Sequence, residues 1–378
     1  MTTIEKKEKT IIGQGAYGCI YKPAIKCDRE SEKYITKVQR LDAISKNEIE
    51  IGKKVKQLKN FDRYFAPIEK TCPLNISKVG KVHIERCDIW NNKNVFISNQ
   101  IRYAGNNTLH TALLKYYKQN EKMFEKITVK TIMQLLHGLD KLNKHGIIHM
   151  DIKENNIMVK DTQPEPTIID FGLSFNMNKF DKNETFFMYV YDYSPWTIDQ
   201  TMISYMLNKI KNINENKITK AEIEMIIKDY SNNNNILMNN LMLKERFIKE
   251  NKPYFMSYIN KPWVDMYNEL LKRSWSWDIH SLLVCYYSFF NYESYLKERY
   301  KKVITFLENN IFIQPEKREK CDVLISKLEK SYSIKSNKSI SVKKNLYERS
   351  IKSLEKSILK SRISELKQSQ KMRSKSTI

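Results

Sequence analysis

The stretch "GQGAYGCIYKPAI", residues 13–25, places Gly13, Gly15 and Gly18 in a G-x-G-x-x-G spacing. Alone that spacing is weak, because it serves several phosphate-binding folds and many ordinary turns. The residues after Gly18 decide between them. In a dinucleotide-binding βαβ unit, a helix would start at the last glycine and an acidic residue would come about 20 residues on. Instead "CIYKPAI" continues as a second strand, Pro23 is unfavourable in a helix interior, and the next distinctive residue is Lys37 in "YITKV". The spacing therefore predicts a β-hairpin lid, whose glycines let backbone N–H groups approach phosphate oxygens. A lysine ending a strand is more often a solvated side chain; the lid upstream is what singles out Lys37.

Outward from the lid, short β-branched and aromatic runs dominate to about residue 97: "TIIGQGAYGCIYKP", "KYITKV", "KVHIERCDIW" and "VFISNQI". One helical stretch interrupts them at residues 43–58, with Ile44, Ile49, Ile51, Val55 and Leu58 on a ragged apolar face. After Gly105 the pattern turns helical. Ile132, Leu135, Leu136, Leu139 and Leu142 fall at helical spacing, and helix predominates to about residue 330. The expected class is α+β: a small antiparallel sheet lobe with one main helix, then a larger, mostly helical lobe. The expected divisions are an extension at 1–9, a nucleotide-binding lobe at 10–105, a catalytic lobe at 106–330 and a tail at 331–378. Residues 201–276 are expected as an Asn- and Lys-rich insertion, low in complexity at "SNNNN", 231–235.

A second polar concentration lies in "HGIIHMDIKENNIMV", residues 145–159, where His149, Asp151, Lys153, Asn155 and Asn156 come after an apolar run. Fourteen residues after Asn156, "TIIDFG" ends another apolar run in Asp170, Phe171 and Gly172. Either could be a polar turn after a strand. Their order after the lid and Lys37 makes coincidence a poor explanation.

Together these segments resemble the protein kinase family: the G-x-G-x-x-G lid, the strand lysine, H-x-D-x-K-x-x-N and D-F-G. The resemblance implies a two-lobed fold and transfer of the ATP γ-phosphoryl group, with Mg²⁺, to protein Ser/Thr hydroxyls. It assigns residues 12–20 to ATP binding (Ile12, Gly13, Gln14, Gly15, Ala16, Tyr17, Gly18, Cys19 and Ile20), and Lys37 to the α- and β-phosphates. Lys37 would be fixed by a carboxylate of the next helix; Glu48 is preferred for its place beside the packed face, with Glu50 as the fallback. Asp151 would orient and deprotonate the acceptor hydroxyl, Lys153 would neutralise charge on the γ-phosphoryl oxygens, and Asn156 and Asp170 would hold the metal through oxygen. His149, Phe171 and Gly172 would support these loops. Asp278 in "WDIHSLL" would brace the catalytic loop, although Asp is also a good helix N-cap. Arg318 would pair with an acidic residue closing the activation segment; A-P-E is absent, and Asp199 of "YSPWTID" is the expected partner.

Three departures matter. Met150 stands where an arginine usually receives activation-loop phosphate, and it cannot make that charge pair. Activity independent of phosphorylation between Gly172 and Pro195 is therefore expected. Leu283 replaces a usual glycine. The odd activation segment, the long insertion and the Lys/Asn/Ile bias resemble protein kinases of large DNA viruses. A kinase-like scaffold without activity and a small-molecule kinase stay open as alternatives. The first is disfavoured by the full residue set, the second by the complete lid.

Composition bounds the rest. The 378 residues are 41% hydrophobic, enough for two lobes, and carry a formal charge of +23. That charge suits acidic surfaces, whether nucleic acid, anionic membrane or acidic protein. Residues 331–378 hold thirteen Lys/Arg against three Glu. Within them Tyr347, Ile351, Leu354, Ile358, Leu359, Ile363 and Leu366 share one side of a helical wheel, the pattern of a basic amphipathic helix for an anionic surface or a partner. Ser350, Ser353, Ser357 and Ser361 each come directly after a basic residue, as candidates for self-phosphorylation. Six cysteines without C-x-x-C spacing are expected as reduced thiols in a cytoplasmic protein, in a host cell or virion if viral. No apolar run approaches the roughly 20 residues of a membrane span.

Overall fold

The computed structural model describes residues 10–15, 17–25, 27, 33–74, 84–91, 93–161 and 163–334. The lid glycines form a hairpin. β1 (Thr10–Gly15) pairs antiparallel with β2 (Gly18–Lys22), and Gly15 stands opposite Gly18. A Cβ on Gly18 would lie 2.7 Å from the carbonyl oxygen of Val38, so the hairpin can fold over its neighbouring strand only with glycine there. That neighbour is β3 (Tyr34–Arg40), and β6 (Phe96–Arg102) and β5 (Ile68–Pro73) complete an antiparallel sheet in the order β1-β2-β3-β6-β5.

Period-2 alternation gives the sheet two faces. Lys37 and Gln39 point to the face covered by α1 (Ala43–Lys56), whose N-terminus is closed by a reciprocal Asp42–Ser45 capping box. Cys19, Tyr21, Val38 and Phe96 line the other face. The segment "KVHIERCDIW" is not a strand where it is described. From Ile84 it forms turns, with Cys87 N–H on the Ile84 carbonyl and Trp90 N–H on that of Cys87, and lays Ile84, Cys87 and Ile89 over this outer face. Its apolar spacing serves a cap, not a pleat.

The expectation of six reduced thiols is corrected for four of them. Cys19 is disulfide-bonded to Cys87, and Cys27 to Cys72. Spacing along the chain could not show this, because partners lie 68 and 45 residues apart and meet only once the sheet and its cap are folded. Cys285 and Cys321 are free and buried.

Beyond β6, Gly105 has a φ of +149° and approaches Val159 too closely for a side chain. Short strands carry the polar loops. β4 (Phe65–Ala66), β10 (Gln163–Ile169), β9 (Ile157–Lys160) and β7 (Asn107–Thr108) form one sheet, and β8 (Ile147–Ile148) pairs with β11 (Phe175–Asn176). After α2 (Leu109–Gln119), α3 (Glu121–Lys144) is the long helix that the Leu/Ile spacing predicts. Its Ile132, Leu135, Leu136, Leu139 and Leu142 are fully buried. Against it lies α9 (Trp277–Tyr292), where Tyr286 Oη donates to Thr131 at 2.8 Å.

Between them run α4 (Lys182–Thr185), α5 (Ile198–Lys209), α6 (Lys220–Asn233), α7 (Leu241–Met256) and α8 (Trp263–Lys272); α10 (Lys301–Asn310) and α11 (Cys321–Tyr332) come last. The "SNNNN" run is structured, contrary to its low-complexity look. It ends α6, and buried Asn234 accepts the N–H groups of Ile236 and Leu237 through Oδ1. Among the described residues no helix is long and apolar enough to cross a membrane. The expected extension 1–9 and the tail serines and amphipathic pattern lie outside the described residues.

Closing a loop of this length restricts the unfolded chain, so the Cys19–Cys87 bridge is worth up to about 4 kcal/mol. The double variant Cys19→Ser/Cys87→Ser should unfold at a lower temperature than the wild type. Dithiothreitol should lower the wild-type midpoint more than the variant's, and equal responses in calorimetry would mean that the pair is not bonded.

Candidate active site

Lys37 is the meeting point of three elements. Its Nζ lies 3.1 and 3.0 Å from the two Glu48 oxygens and 2.9 Å from Asp170 Oδ1. Burial opposes the lysine charge, but Glu48 and then Asp170 outweigh it and raise its pKa, so the ammonium is retained. Burial pushes Glu48 up, and Lys37 and Gln39 pull against that shift. Asp170, despite its own burial, is held below the usual carboxylate range by Lys37 and by the Gly172 N–H. Glu50, the fallback, is exposed and paired with Lys53.

Glu48 is oriented from behind. Gln39 Nε2 donates to it at 2.8 Å, Asn99 Nδ2 donates to Gln39 Oε1 at 2.6 Å, and Thr71 Oγ1 donates to Asn99 Oδ1 at 2.7 Å. The residue before Glu48 reaches the other way: Asn47 Nδ2 donates to the carbonyls of Gly172 (3.2 Å) and Ser174 (2.7 Å). One helix turn thus holds both the strand lysine and the loop after Asp170. Neither Asn47, Gln39 nor Asn99 carries a sequence signal beyond proximity to Glu48 and Lys37.

The second group surrounds Asp151. Its Oδ2 accepts from Asn156 Nδ2 at 2.8 Å and from Lys153 Nζ at 2.9 Å, and Asn156 also donates to the Asp151 carbonyl. Its Oδ1 accepts from Tyr193 Oη at 2.7 Å, a contact the sequence did not suggest. The loop backbone is fixed by Asp278, which is buried and accepts the N–H groups of His149 (2.7 Å) and Met150 (3.0 Å). Asp278 is not an N-cap. It is the second residue of α9, and its carboxylate turns to the loop. That bond offsets strain, because Met150 sits at φ +69°.

His149 joins the two groups. The Asp151 N–H points at its Nδ1 (3.3 Å), so Nε2 carries the hydrogen and donates to the Ile169 carbonyl at 3.1 Å, one residue before Asp170. Its ring lies 4.9 Å from that of Phe171, which packs on Phe65.

The lid residues take different places. Ile20 stands opposite Lys37 in the β2–β3 register, on the same face. Cys19, grouped by sequence with the ATP-binding residues, is turned to the opposite face, fully buried and bonded to Cys87. Gln14 Oε1 accepts the Asp88 N–H. Ile12 and Tyr17 are exposed, and a Cβ on Gly13 or Gly15 would meet no closer neighbour than 3.9 Å. Ala16 lies outside the described residues.

Farther off, Arg318 and Asp199 form a two-pronged ion pair, both bonds 2.8 Å, with the Trp277 indole N–H also directed at Asp199. Both residues are buried or nearly so. Where an arginine would stand, Met150 receives the Gln200 amide on its sulfur and the Trp196 indole N–H on its carbonyl.

The donor set suits a nucleotide with a divalent metal. Asn156 commits its Nδ2 to Asp151, which turns its Oδ1 away, and Asp170 is partly open to solvent. Among the described residues no cluster of three or more His, Cys, Asp or Glu could hold a metal, so phosphate oxygens would have to complete its shell.

A family model described as "Protein kinase domain" matches residues 6–207, just over half of the sequence. The chain belongs to the protein kinase family. This kinase is similar to the serine/threonine-protein kinase fused of Drosophila melanogaster, 27% identical over 169 residues, 44% of this chain and 18% of that protein. It is also similar to serine/threonine-protein kinase 1 of African swine fever virus. The Malawi isolate protein is 25% identical over 32% of this chain and 49% of its own length; the Pretoriuskop isolate protein is 26% identical over 43% and 61%. The kinase thus spans less than two thirds of each of these relatives.

Removing one partner of a buried ion pair leaves an uncompensated charge, which costs about 3–5 kcal/mol. Arg318→Ala should therefore lower the free energy of unfolding by that order in a urea titration. Arg318→Ala with Asp199→Asn should recover part of it, and an unchanged single variant would show that the pair does not support the lobe.

Proposed function

We propose that this chain is a serine/threonine protein kinase that transfers the γ-phosphoryl group of ATP, with Mg²⁺, to Ser/Thr hydroxyls of protein substrates. One observation carries the reading: the Lys37–Glu48–Asp170 set and the Asp151–Lys153–Asn156 set are each formed, and His149 ties them together. Phosphoryl transfer asks a protein chiefly for position and charge. Lys37, held charged by Glu48, binds the α- and β-phosphates beneath the lid amides of residues 13–18. Asp151 orients the acceptor hydroxyl and takes its proton, and Lys153 faces the charge that builds on the transferred group. Asn156 and Asp170 would hold Mg²⁺, which would supply charge neutralisation for the phosphates. Lys153 within "DIKENN" and the relatives' names support Ser/Thr over Tyr acceptors.

In this reading residues 10–105 are the nucleotide-binding lobe and 106–330 the catalytic lobe, with 201–276 as added helices. Host cytoplasm or a virion is the proposed location, and the two disulfides require that thiol oxidation reach the chain there. Because Met150 is occupied by Gln200 and Trp196, no phosphate is needed to hold the activation segment on the loop.

Asp151→Ala should lower peptide phosphorylation by about 10² to 10⁴ or more, with nucleotide binding retained. Transfer by the variant at the wild-type rate would end the assignment. Phosphatase treatment of the wild type should leave its rate intact, and an enzyme silenced by that treatment would show that the contacts of Met150 do not replace a phosphate.

A further inference from the structure

The fold brings together the Asn-rich run ending α6 and the aromatic stretch before Pro195, neither of which the transfer chemistry uses directly. Tyr193 donates to Asp151 Oδ1, while Oδ2 already accepts from Asn156 and Lys153. A carboxylate offers about four lone-pair positions. Three donors leave one, on Oδ1, for an incoming hydroxyl. Burial, then the Asp151 charge, drives the Tyr193 pKa far above the ordinary phenol value, so the phenol stays a donor.

The residues after Tyr193 are held one by one. Asn234 Nδ2 donates to the Ser194 carbonyl (3.2 Å) and the Asn235 N–H to Ser194 Oγ (2.9 Å). Ser281 Oγ donates to the Pro195 carbonyl (2.7 Å), and Tyr230 Oη to that of Trp196 (2.7 Å). Asn234 can hold this post because its own Oδ1 is anchored by the next turn. The Trp196 ring stands edge-on to Tyr193, centroids 6.0 Å apart.

We propose that Tyr193 is a positioning residue for Asp151, and that the Asn-rich turn after α6 is the clamp that seats it. The inference rests on the kinase reading above. Tyr193 selects which lone pair of the base faces the acceptor, and the run that looks like filler in the sequence keeps Tyr193 within reach.

The test is steady-state kinetics on the full chain with Mg-ATP and a Ser/Thr peptide, alongside thermal unfolding. Tyr193→Phe should lower kcat about tenfold or more, the scale of a hydrogen bond to a charged group. KM for ATP and the unfolding midpoint should stay at the wild-type value, a split that a packing role would not give. Ser194→Ala, which loosens the clamp without touching Asp151, should lower kcat in the same direction but less. Wild-type kcat in Tyr193→Phe overturns the proposal; so does a raised kcat, which would mean that the phenol obstructs the acceptor seat. A silent Ser194→Ala overturns the clamp alone. A wild type with no transfer at all counts against the kinase reading, whereas an active wild type matched by Tyr193→Phe counts only against this one.

Discussion

The ammonium of Lys37 is the constraint on which the site depends. A buried cation must be paired, and its two partners come from elements far apart in the chain: α1 supplies Glu48, and the loop after β10 supplies Asp170. Satisfying one charge therefore fixes the sheet, the helix and the loop relative to one another. The Thr71–Asn99–Gln39 relay keeps Glu48 from turning elsewhere, and Asn47 repeats the helix-to-loop tie with neutral groups.

The loop that carries Asp151 meets a similar demand by other means. Met150 is in a left-handed conformation, and the buried carboxylate of Asp278 holds the two amides that this bend exposes. His149 then transmits the loop's position to the strand ahead of Asp170 through its ring nitrogens. The loops that carry Asp151 and Asp170 are thereby set relative to one another, with Phe171 filling the apolar space beneath.

Much of this was legible in the sequence because the chemistry is written in short, ordered segments. Glycine spacing succeeded by a strand excluded a dinucleotide unit, and the register Gly15 to Gly18 is that hairpin. Leucine and isoleucine at helical spacing marked α3, since a one-sided apolar stripe has few other uses. Asp199 was legible because "YSPWTID" stands where the family's A-P-E would close the activation segment, and it meets Arg318 across the fold. What stayed hidden depends on contacts between distant residues. Cys19 and Cys87 show no local spacing. "KVHIERCDIW" alternates well enough for a strand, but its described part, from Ile84 on, covers a sheet face instead. Tyr193 is one tyrosine among several, and the asparagines at 232–235 resemble linker until Asn234 is seen buried against Ser194.

The Cys19–Cys87 bond has a mechanical side. It joins the root of the glycine hairpin to the layer packed on the sheet's back, and the Cys27–Cys72 bond adds a second stitch from the chain beyond β2 to β5. A flap so sewn down has little freedom to peel away by itself.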